Sequence, residues 1–369
     1  MHVVFVLFIT ITCIQLCYYI FIFSRFSITK PTKNKYSNIP VSVIICARNE
    51  SKNIQKHLSY ILNQNYSNFE IVLINDGSDD NTLVLFEATK EKYKNTHQIK
   101  IVNVAENEKF WGNKKYALTL GIKAASYEYL LFTDADCQPV SNNWISEMTS
   151  QFSEKKEIIL GYGAHQKVKN SFFNKLIRFE TLYTALQYFS YTKIGLPYMG
   201  VGRNLAYKKS LFFKANGFAK HMHIKSGDDD LFINKNSTKN NVAIVFSFES
   251  FTISEPKKSF KSWIHQKRRH ISTATYYKTI HKILLSLSYS AQLLFWLLAS
   301  LLLIYTYQLK FVLLLIGIKI FVQYLIVGLA AKKLKEQDLI FLIPLFEIFL
   351  ILIQLFIFIK NKISKPTHW

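Results

Sequence analysis

LLFTDADC, Leu130–Cys137, is a short apolar run that ends in two acidic residues. The run begins after Tyr129, and Asp134 and Asp136 follow it with one small residue between them. This pattern predicts a buried strand that leads into an acidic loop. Alternate positions beyond a strand end need not share a face, so one carboxylate is able to bind a divalent metal while the other accepts from a sugar hydroxyl. A solvated turn would carry the same residues, and the rest of the chain must decide between the two interpretations.

Upstream of this stretch, apolar β-branched runs alternate with helical patterns. Strands buried on both faces are predicted at Val41–Ala47, Phe69–Ile74 and Ile99–Ala105, and helices at Ser51–Leu62 and Trp111–Ala125. Strands that alternate with helices predict an α/β fold, with a mostly parallel sheet flanked by helices on both faces.

Acidic residues follow several of the predicted strands. In open parallel sheets, ligands lie beyond the carboxyl ends of the strands, where the strand order switches. Asp76 follows the second strand, so we expect it to converge with Asp134 and Asp136 at one edge. There Asp76 is able to accept from the ring N–H of a nucleotide base, and a turn or helix cap is the alternative. For Asp79, a turn or a helix cap is the favoured interpretation.

The first apolar segment is long enough to cross a membrane. Val3–Phe23 contains no charged residue, and a span needs about 20 apolar residues. Cations follow it, which predicts that the next part of the chain is cytoplasmic. A cleaved signal peptide is the alternative, but no Lys or Arg precedes the run and no small-residue cleavage site follows it. We therefore expect an anchor over residues 1–24 and a cytosolic domain over residues 40–255.

The chain is strongly basic, with 46 Lys and Arg against 24 Asp and Glu, a formal charge of +22. In a soluble protein this charge would suggest nucleic-acid binding. Here the cations crowd beside apolar segments, so an anionic membrane surface is the expected partner and nucleic acid is not. Residues 256–282 are predicted to form a basic amphipathic segment that lies in the membrane interface.

Residues 283–360 are predicted to hold two to three transmembrane or re-entrant helices, which makes this a multi-pass protein of the plasma or inner membrane. The candidates are Ile283–Leu309, Phe311–Ala331 and Leu339–Ile359. Charges inside a membrane are costly, so Lys319 and Glu347 are candidates to pair. Four full spans would leave the C-terminus outside, whereas its lysines favour the inside. The last segment is therefore a candidate re-entrant or interfacial helix.

Between the Asp pair and the next acidic motif, Phe172–Tyr191 predicts an aromatic-rich helix. We expect it to pack on the sheet, with a wall beside the acceptor as the alternative. Gly200 and Gly202 allow close approach of the backbone, and we expect Arg203 and Asn204 near the donor sugar.

Six motifs in order resemble those of the family 2 inverting glycosyltransferases, in their membrane-anchored branch. The motifs are VIICARNE, IVLINDGSDD, KKYALTLGI, FTDADC, SGDDDL and QKRRH, and the resemblance covers residues 40–272. It implies the GT-A fold, a Rossmann-like arrangement, and sugar transfer from a nucleotide diphosphate sugar with Mg²⁺ or Mn²⁺ as the cofactor.

The resemblance also implies roles for the matching residues. The residues that would bind the nucleotide sugar are Asp76, Lys114, Asp134, Gln266 and Arg269. The residue that would bind the metal is Asp136. In an E-D-x-[DE]-L motif, alignment on Leu231 makes Asp228 the general base. Gly227 replaces the family's Glu, so Asp229 stays an alternative base. His270 stands where the family has a Trp.

An inverting transfer needs a base on the attacking side and charge neutralisation on the leaving side. A divalent cation meets the second need as a Lewis acid, and an Asp flanked by acids has a raised pKa that suits the first. The expected acceptor is a lipid, a lipid-linked sugar or an envelope glycan. A processive polysaccharide synthase, a nucleotidyltransferase or diphosphate hydrolase, and a catalytically silent membrane scaffold are the alternatives.

Overall fold

A computed structural model describes residues 1–31, 38–104, 113–224 and 226–364 of the chain, apart from the side chain of Asn113. The chain divides into two compact units. The sheet unit comprises Pro31–Lys167 and Pro197–Lys257, and the helical unit comprises Met1–Lys30, Val168–Leu196 and Lys258–Trp369.

The elements of the described residues are as follows. The helices are α1 (His2–Cys17), α2 (Ser24–Ser27), α3 (Ser51–Leu62), α4 (Thr82–Tyr93), α5 (Asn113–Ala124), α6 (Trp144–Thr149), α7 (Phe172–Lys193), α8 (Lys209–Lys214), α9 (Asp230–Asn236), α10 (Phe260–Thr273), α11 (Thr279–Ile304), α12 (Leu309–Lys333) and α13 (Ile343–Ile363). The strands are β1 (Val41–Ala47), β2 (Phe69–Asp76), β3 (Gln98–Val104), β4 (Tyr129–Asp134), β5 (Cys137–Pro139), β6 (Ile158–Leu160), β7 (Gly163–His165), β8 (Leu205–Lys208), β9 (Val242–Ile244) and β10 (Thr252–Ser254).

The main sheet of the sheet unit has seven strands in the order β3-β2-β1-β4-β8-β6-β9. The first four are parallel to one another, β8 runs antiparallel between β4 and β6, and β9 is parallel to β6. The predicted mostly parallel α/β sheet is therefore confirmed. A second sheet has three strands in the order β5-β10-β7.

The pattern of the sequence explains why these segments form a sheet covered by helices. Six of the seven residues of β1 are buried, as expected for a central strand with helices on both faces. Helix α3 buries Ile54, Leu58 and Ile61, which lie on one side of the helix at a spacing of four and then three residues. This apolar side packs in the same core as β1 and β2.

The strand order places a switch point beside β1. The chain adds β2 and β3 on one side of β1 and β4 on the other, so the loops after β1 and β4 part at the carboxyl edge of the sheet. Cys46 of β1 is level with Asp134 at the end of β4, and Ala47 is level with Asn75 of β2. Asp76 and Asp134 therefore lie at the same edge, where parallel sheets bind their ligands.

Local patterns predicted the element bounds closely. Strand β1 and helix α3 have the predicted bounds, whereas β2 continues to Asp76 and β3 covers Gln98–Val104. Helix α5 is described from Asn113, and the predicted start of this helix at Trp111 lies outside the described residues, as does Ala105.

The described residues contain four helical stretches long and apolar enough to cross a membrane. They are His2–Ser27, which joins α1 and α2 into one helix, Thr279–Ile304, Leu309–Lys333 and Gln337–Ile363. All four belong to the helical unit. The prediction of apolar N-terminal and C-terminal helices is confirmed.

Helix α7 lies in the helical unit, which corrects the expectation that it packs on the sheet. Its Phe189 ring lies 4.9 Å from that of Phe26, and its Phe179 ring lies 5.3 Å from that of Phe346. The side chain of Ser190 donates to the carbonyl of Phe23 at 3.2 Å. The aromatic residues that predicted a core helix instead pack against apolar helices from both ends of the chain.

Lys319 and Glu347 form a buried ion pair, as the sequence predicted. Lys319 is fully buried and also donates to Gln323 at 3.0 Å. The Tyr19 hydroxyl and the Trp296 indole N–H each donate to the Glu347 carboxylate at 3.1 Å. The pair is thus satisfied by side chains of the first helix, α11, α12 and α13, as a buried charge requires.

Candidate active site

Lys114 on α5 bridges two acidic segments that lie far apart in the chain. Its Nζ lies 3.0 Å from Oδ1 of Asp134 at the end of β4 and 3.5 Å from Oδ2 of Asp228 in the acidic motif. Burial alone would lower the pKa of Lys114, but Asp134 and Asp228 outweigh it and hold the pKa well above its usual range. Lys114 is therefore a permanent cation between the two carboxylates.

The carboxyl edge of the sheet gathers the predicted acids around Cys46. Burial raises the pKa of the Cys46 thiol, Lys114 opposes this, and the nearby charges of Asp76, Asp228 and Asp134 raise it further. A cavity of about 20 Å³, room for about one water molecule, lies at this point. Its lining includes Cys46, Lys114, Asp134, Gly202, Asp228 and Asp229. The end of β4 and the acidic motif thus bring their acids to one cavity, and the charge of Asp76 also acts on Cys46 there.

Asp136 lies beside Asp134 and Cys137 in a compact donor set. One ligand atom from each of the three residues lies within 4.8 Å of the others. Burial raises the pKa of Asp136 and the charge of Asp134 raises it further, while the Cys137 thiol, 3.4 Å from Oδ1, and Arg203 oppose the shift. The two carboxylates carry negative charge that a divalent cation would neutralise, and oxygen ligands suit Mg²⁺ or Mn²⁺.

Asp76 is 8% exposed and ends β2, where the sequence predicted it. The side chain of the preceding residue, Asn75, donates to Asn103 of β3 at 2.8 Å and accepts from the Ser78 amide of the loop at 3.4 Å. The cap of α4 differs from the expectation. Oδ1 of Asp80, rather than Asp79, accepts from the Thr82 amide at 3.0 Å, because Asp80 is two residues before Thr82 and makes the local turn.

The acidic motif is held by main-chain hydrogen bonds. Asp229 precedes α9, and its two oxygens accept from the amides of Gly202 and Asp230, each at 2.7 Å. Burial raises the pKa of Asp229 to about 7, with Asp228 and Asp230 adding to the shift and the two amides opposing it.

Gly227 explains the departure from the family's acidic motif. Its φ is +94°, and a Cβ there would lie 2.5 Å from Cδ1 of Leu231. A glutamate does not fit this backbone without strain. The missing family residue therefore leaves Asp228 and Asp229 as the acids of the motif at the cleft.

Arg203 and Asn204 are adjacent in sequence but contact different parts of the protein. Arg203 lowers the pKa of Asp136 and donates to His165 at 3.1 Å, so it lies on the side of the Asp pair. Asn204 is fully buried and is bonded to the Trp144 indole and to the carbonyls of Tyr162 and Ser250. These contacts hold the Asn204 side chain within the protein, and the expectation that Asn204 lies near the donor sugar stays a prediction.

Sequence reasoning missed Glu50 as a member of this site. Burial raises the pKa of Glu50, Asn53 opposes the shift, and the charges of Asp136 and Asp134 raise it further. Glu50 follows β1, and β1 adjoins β4 in the sheet, so the position after the strand was the available signal.

Gln266 and Arg269 lie on α10 in the helical unit. On the same helix, Lys267 forms an ion pair with Glu180, and Arg268 donates to Asn361 at 2.8 Å. The binding of a nucleotide sugar by Gln266 and Arg269 stays a prediction.

A sheet of this strand order with an acidic pair at its switch point resembles the GT-A fold. Residues 42–214, a little under half of the chain, match the model of the family described as "Glycosyl transferase family 2".

Two of the proteins that are similar in sequence illustrate the range of the match. A poly-beta-1,6-N-acetyl-D-glucosamine synthase of Staphylococcus epidermidis is 38% identical over 124 residues, which are 32% of this chain and 27% of the synthase. An uncharacterized glycosyltransferase of Haemophilus influenzae is 35% identical over 128 residues, 35% of this chain and 37% of that protein. The matches thus span well under half of either relative.

Among the solved structures that are similar to this chain, one matches over most of its length. It is the mannosyltransferase PcManGT of Pyrobaculum calidifontis, in complex with GDP-Man and Mn²⁺. The TM-score is 0.60 at 18% identity, and the match covers 90% of this chain and 98% of that one. This likeness shows a shared fold.

Proposed function

We propose that this protein is an inverting glycosyltransferase that moves a sugar from a nucleotide diphosphate sugar to an acceptor at the membrane. The acceptor class is a lipid, a lipid-linked sugar or an envelope glycan. The observation that carries the proposal is the bridge of Lys114 between Asp134 and Asp228, at 3.0 and 3.5 Å. It brings an acid of the donor site and a candidate base into one cleft, as a single displacement requires.

In this proposal the donor lies at the carboxyl edge of the sheet. Asp76 accepts from the base and Asp134 binds the ribose, while Lys114, with Gln266 and Arg269, binds the remaining donor groups. Asp134 and Asp136 supply carboxylate oxygens, the ligands that hard divalent cations prefer. Mg²⁺ or Mn²⁺ held by Asp136 would act as a Lewis acid toward the diphosphate. The Mn²⁺ in the complex of PcManGT supports this choice.

Asp228 is the proposed general base, which takes the proton of the acceptor hydroxyl. That oxygen attacks the anomeric carbon as the bond from this carbon to the diphosphate oxygen breaks and the nucleotide diphosphate leaves. Both oxygens of Asp229 already accept main-chain hydrogen bonds, whereas Asp228 faces the cleft beside Lys114. We therefore assign Asp229 the task of holding the motif, and it stays the alternative base. A base within hydrogen-bond reach of its proton contributes about 10²- to 10⁴-fold to a rate.

The membrane setting supports a lipid-attached acceptor. We propose that the first helix, α11 and α12 cross the membrane and that α13 re-enters from the cytoplasmic face. Lys333 in the last turn of α12 donates to the carbonyl of Phe26 at 3.0 Å, which places the end of α12 beside the end of the first helix. Asn361 near the end of α13 exchanges hydrogen bonds with Arg268 of α10, at 2.8 and 3.1 Å. Since α10 precedes α11, both ends of α13 would face the cytoplasm.

A processive polysaccharide synthase is the second candidate. The observation that favours it is the 38% identity to a poly-beta-1,6-N-acetyl-D-glucosamine synthase. Chain-length analysis of the product separates the two candidates, because a synthase releases long polymers and a single transfer adds one sugar.

The test is a panel of nucleotide sugars supplied to membranes that contain the full-length protein, with Mn²⁺ or Mg²⁺. We expect transfer by the wild type, and its loss in Asp136→Asn, in Asp228→Asn and with a chelator. Glu154→Gln, an exposed carboxylate changed in the same way, is the control and should keep full activity. Full activity of either site variant, or in the presence of a chelator, would overturn the roles of Asp136 and Asp228.

A further inference from the structure

Lys115, the neighbour of Lys114 on α5, ends in a ring of main-chain oxygens. The residue is only 1% exposed. Its Nζ donates to the carbonyls of His221, Ile224 and Ser226, at 2.8, 2.6 and 2.7 Å. An ammonium group has three N–H donors, so one loop of the sheet unit satisfies all of them.

This loop leads directly into the acidic motif. Ser226 is followed by Gly227, whose φ is +94°, and then by Asp228. Lys114 contacts the carboxylate of Asp228 at 3.5 Å, and Lys115 fixes the backbone two residues before it. Helix α5 thus holds Asp228 both through its side chain and through the main chain that carries it.

Burial of a lysine side chain costs free energy unless its ammonium group makes hydrogen bonds. Burial lowers the pKa of Lys115 to about 8, although Asp228, Asp230 and Asp229 oppose the shift. An apolar residue would avoid that cost but would leave three carbonyls without a donor. An arginine presents a planar fork, which does not direct three N–H groups from a single nitrogen.

We infer that Lys115 is a positioning residue that sets the place of the acidic motif relative to the donor site. This inference rests on the proposed function, in which the acidic motif supplies the general base. In this role Lys115 does not contact the substrate.

The hydrogen bonds of Lys115 to the three carbonyls, here called the clamp, are tested first. The measurement is hydrogen exchange on the full-length protein in detergent. We expect Lys115→Met to speed amide exchange in residues 219–224 and 226–231 by about tenfold or more, because their carbonyls lose the cation that binds them. Lys123→Met, at an exposed site on the same helix, should leave exchange in this segment unchanged. Unchanged exchange in Lys115→Met would overturn the clamp.

Kinetics then test positioning. We expect kcat of Lys115→Met to fall about 10- to 100-fold, as misplacement of a catalytic group by about 1 Å does. The Kd of the nucleotide sugar should stay within about twofold, because the lysine does not touch the donor. Faster exchange with kcat unchanged would overturn the positioning role, and so would an equal loss of kcat and of donor affinity.

Lys115→Arg keeps the charge and serves if the methionine variant does not fold. We expect it to fold and to show the same separation of kcat from Kd at a smaller amplitude, and wild-type kinetics in it would overturn the inference. The exchange experiment needs no transfer activity. If the wild type is inactive with every donor, the proposed function is contradicted. The hydrogen-exchange result still tests the clamp in that case.

Discussion

The main-chain amide of Gly202 donates a 2.7 Å hydrogen bond to Oδ2 of Asp229. This bond ties the start of α9 to the segment that precedes β8, and the other oxygen of Asp229 is held by the Asp230 amide. Asp228 and Asp229, which are adjacent in the motif, therefore differ in what holds their carboxylates. One is fixed by the main chain, and the other, Asp228, faces the cleft beside Lys114.

The first prediction distinguishes the base from its neighbour. Asp228→Asn should lower kcat at least about 100-fold with donor affinity kept within a few-fold, because it removes the proton acceptor. Asp229→Asn should lower the thermal midpoint as well as the rate, since an amide nitrogen cannot accept from Gly202 or Asp230. Steady-state kinetics and thermal unfolding measure both effects. The opposite pattern would make Asp229 the base.

The second prediction concerns pH. The pKa of Asp229 is raised to about 7 in the folded protein from its ordinary 3.8. The folded state therefore keeps a proton that the unfolded state loses, so this group stabilises the fold at low pH and its contribution is lost as the pH rises toward 7. We expect the thermal midpoint of the wild type to fall more steeply between about pH 4 and pH 7 than that of Asp229→Asn. Parallel curves would contradict the assignment.

Ionisation of Asp229 should also change the rate. Ionisation of Asp229 adds a negative charge at the cleft, which favours transfer of the acceptor proton to the acidic motif. The transfer rate should therefore rise with pH through about 7 in the wild type. In Asp229→Asn this rise should be absent, which a pH profile of kcat for the two proteins would show.

The third prediction restores the family's residue at position 227. Gly227→Glu should destabilise the sheet unit, by about 1–3 kcal/mol for the backbone strain alone, because φ is +94° and Leu231 occupies the space of the new side chain. The thermal midpoint should fall. Gly317→Ala is the control, since nothing lies within 4 Å of a Cβ at that glycine. A midpoint equal to that of the wild type would show that this turn differs from the one described.

The fourth prediction concerns the ion pair between Lys319 and Glu347. Removal of one partner leaves an unpaired buried charge and costs about 3–5 kcal/mol. Lys319→Met and Glu347→Leu should each lower the thermal midpoint in detergent, and the double variant should recover much of the loss. Equal destabilisation by the single and double variants would argue against a direct pair.

The fifth prediction tests the topology. A cysteine at Ser364, which follows α13, should react in intact cells only after the membrane is made permeable to a charged thiol reagent. A cysteine at Gln308, between α11 and α12, should react without that step. The native Cys13 and Cys17 are changed to Ser first, so that exposed native thiols do not contribute. Labelling of position 364 in intact cells would show that α13 crosses the membrane.

Part of the site was predictable because it depends on local pattern. The run Val41–Ala47 is apolar and β-branched throughout most of its length, and its bounds as a strand follow from those residues alone. The acids after β2 and β4 then lie at one edge, since parallel strands share their carboxyl ends.

Other parts depend on contacts between distant residues. Asn204 follows two glycines and suggested a ligand, yet its bonds to Trp144 and Ser250 bury it. The aromatic pattern of α7 predicted burial correctly but did not reveal its partner, because apolar side chains pack equally well on a sheet or on other helices.

By itself the sequence determined the α/β sheet, the apolar helices and the order of the acidic motifs, because hydrophobic period and turn residues act over a few neighbours. Only the tertiary structure decided which lysine bridges Asp134 to Asp228 and which one clamps the loop that leads to Asp228. Lys114 and Lys115 are identical in chemistry and adjacent in sequence. They differ because successive residues on a helix point about 100° apart, and the loop that Lys115 meets lies more than 100 residues further along the chain.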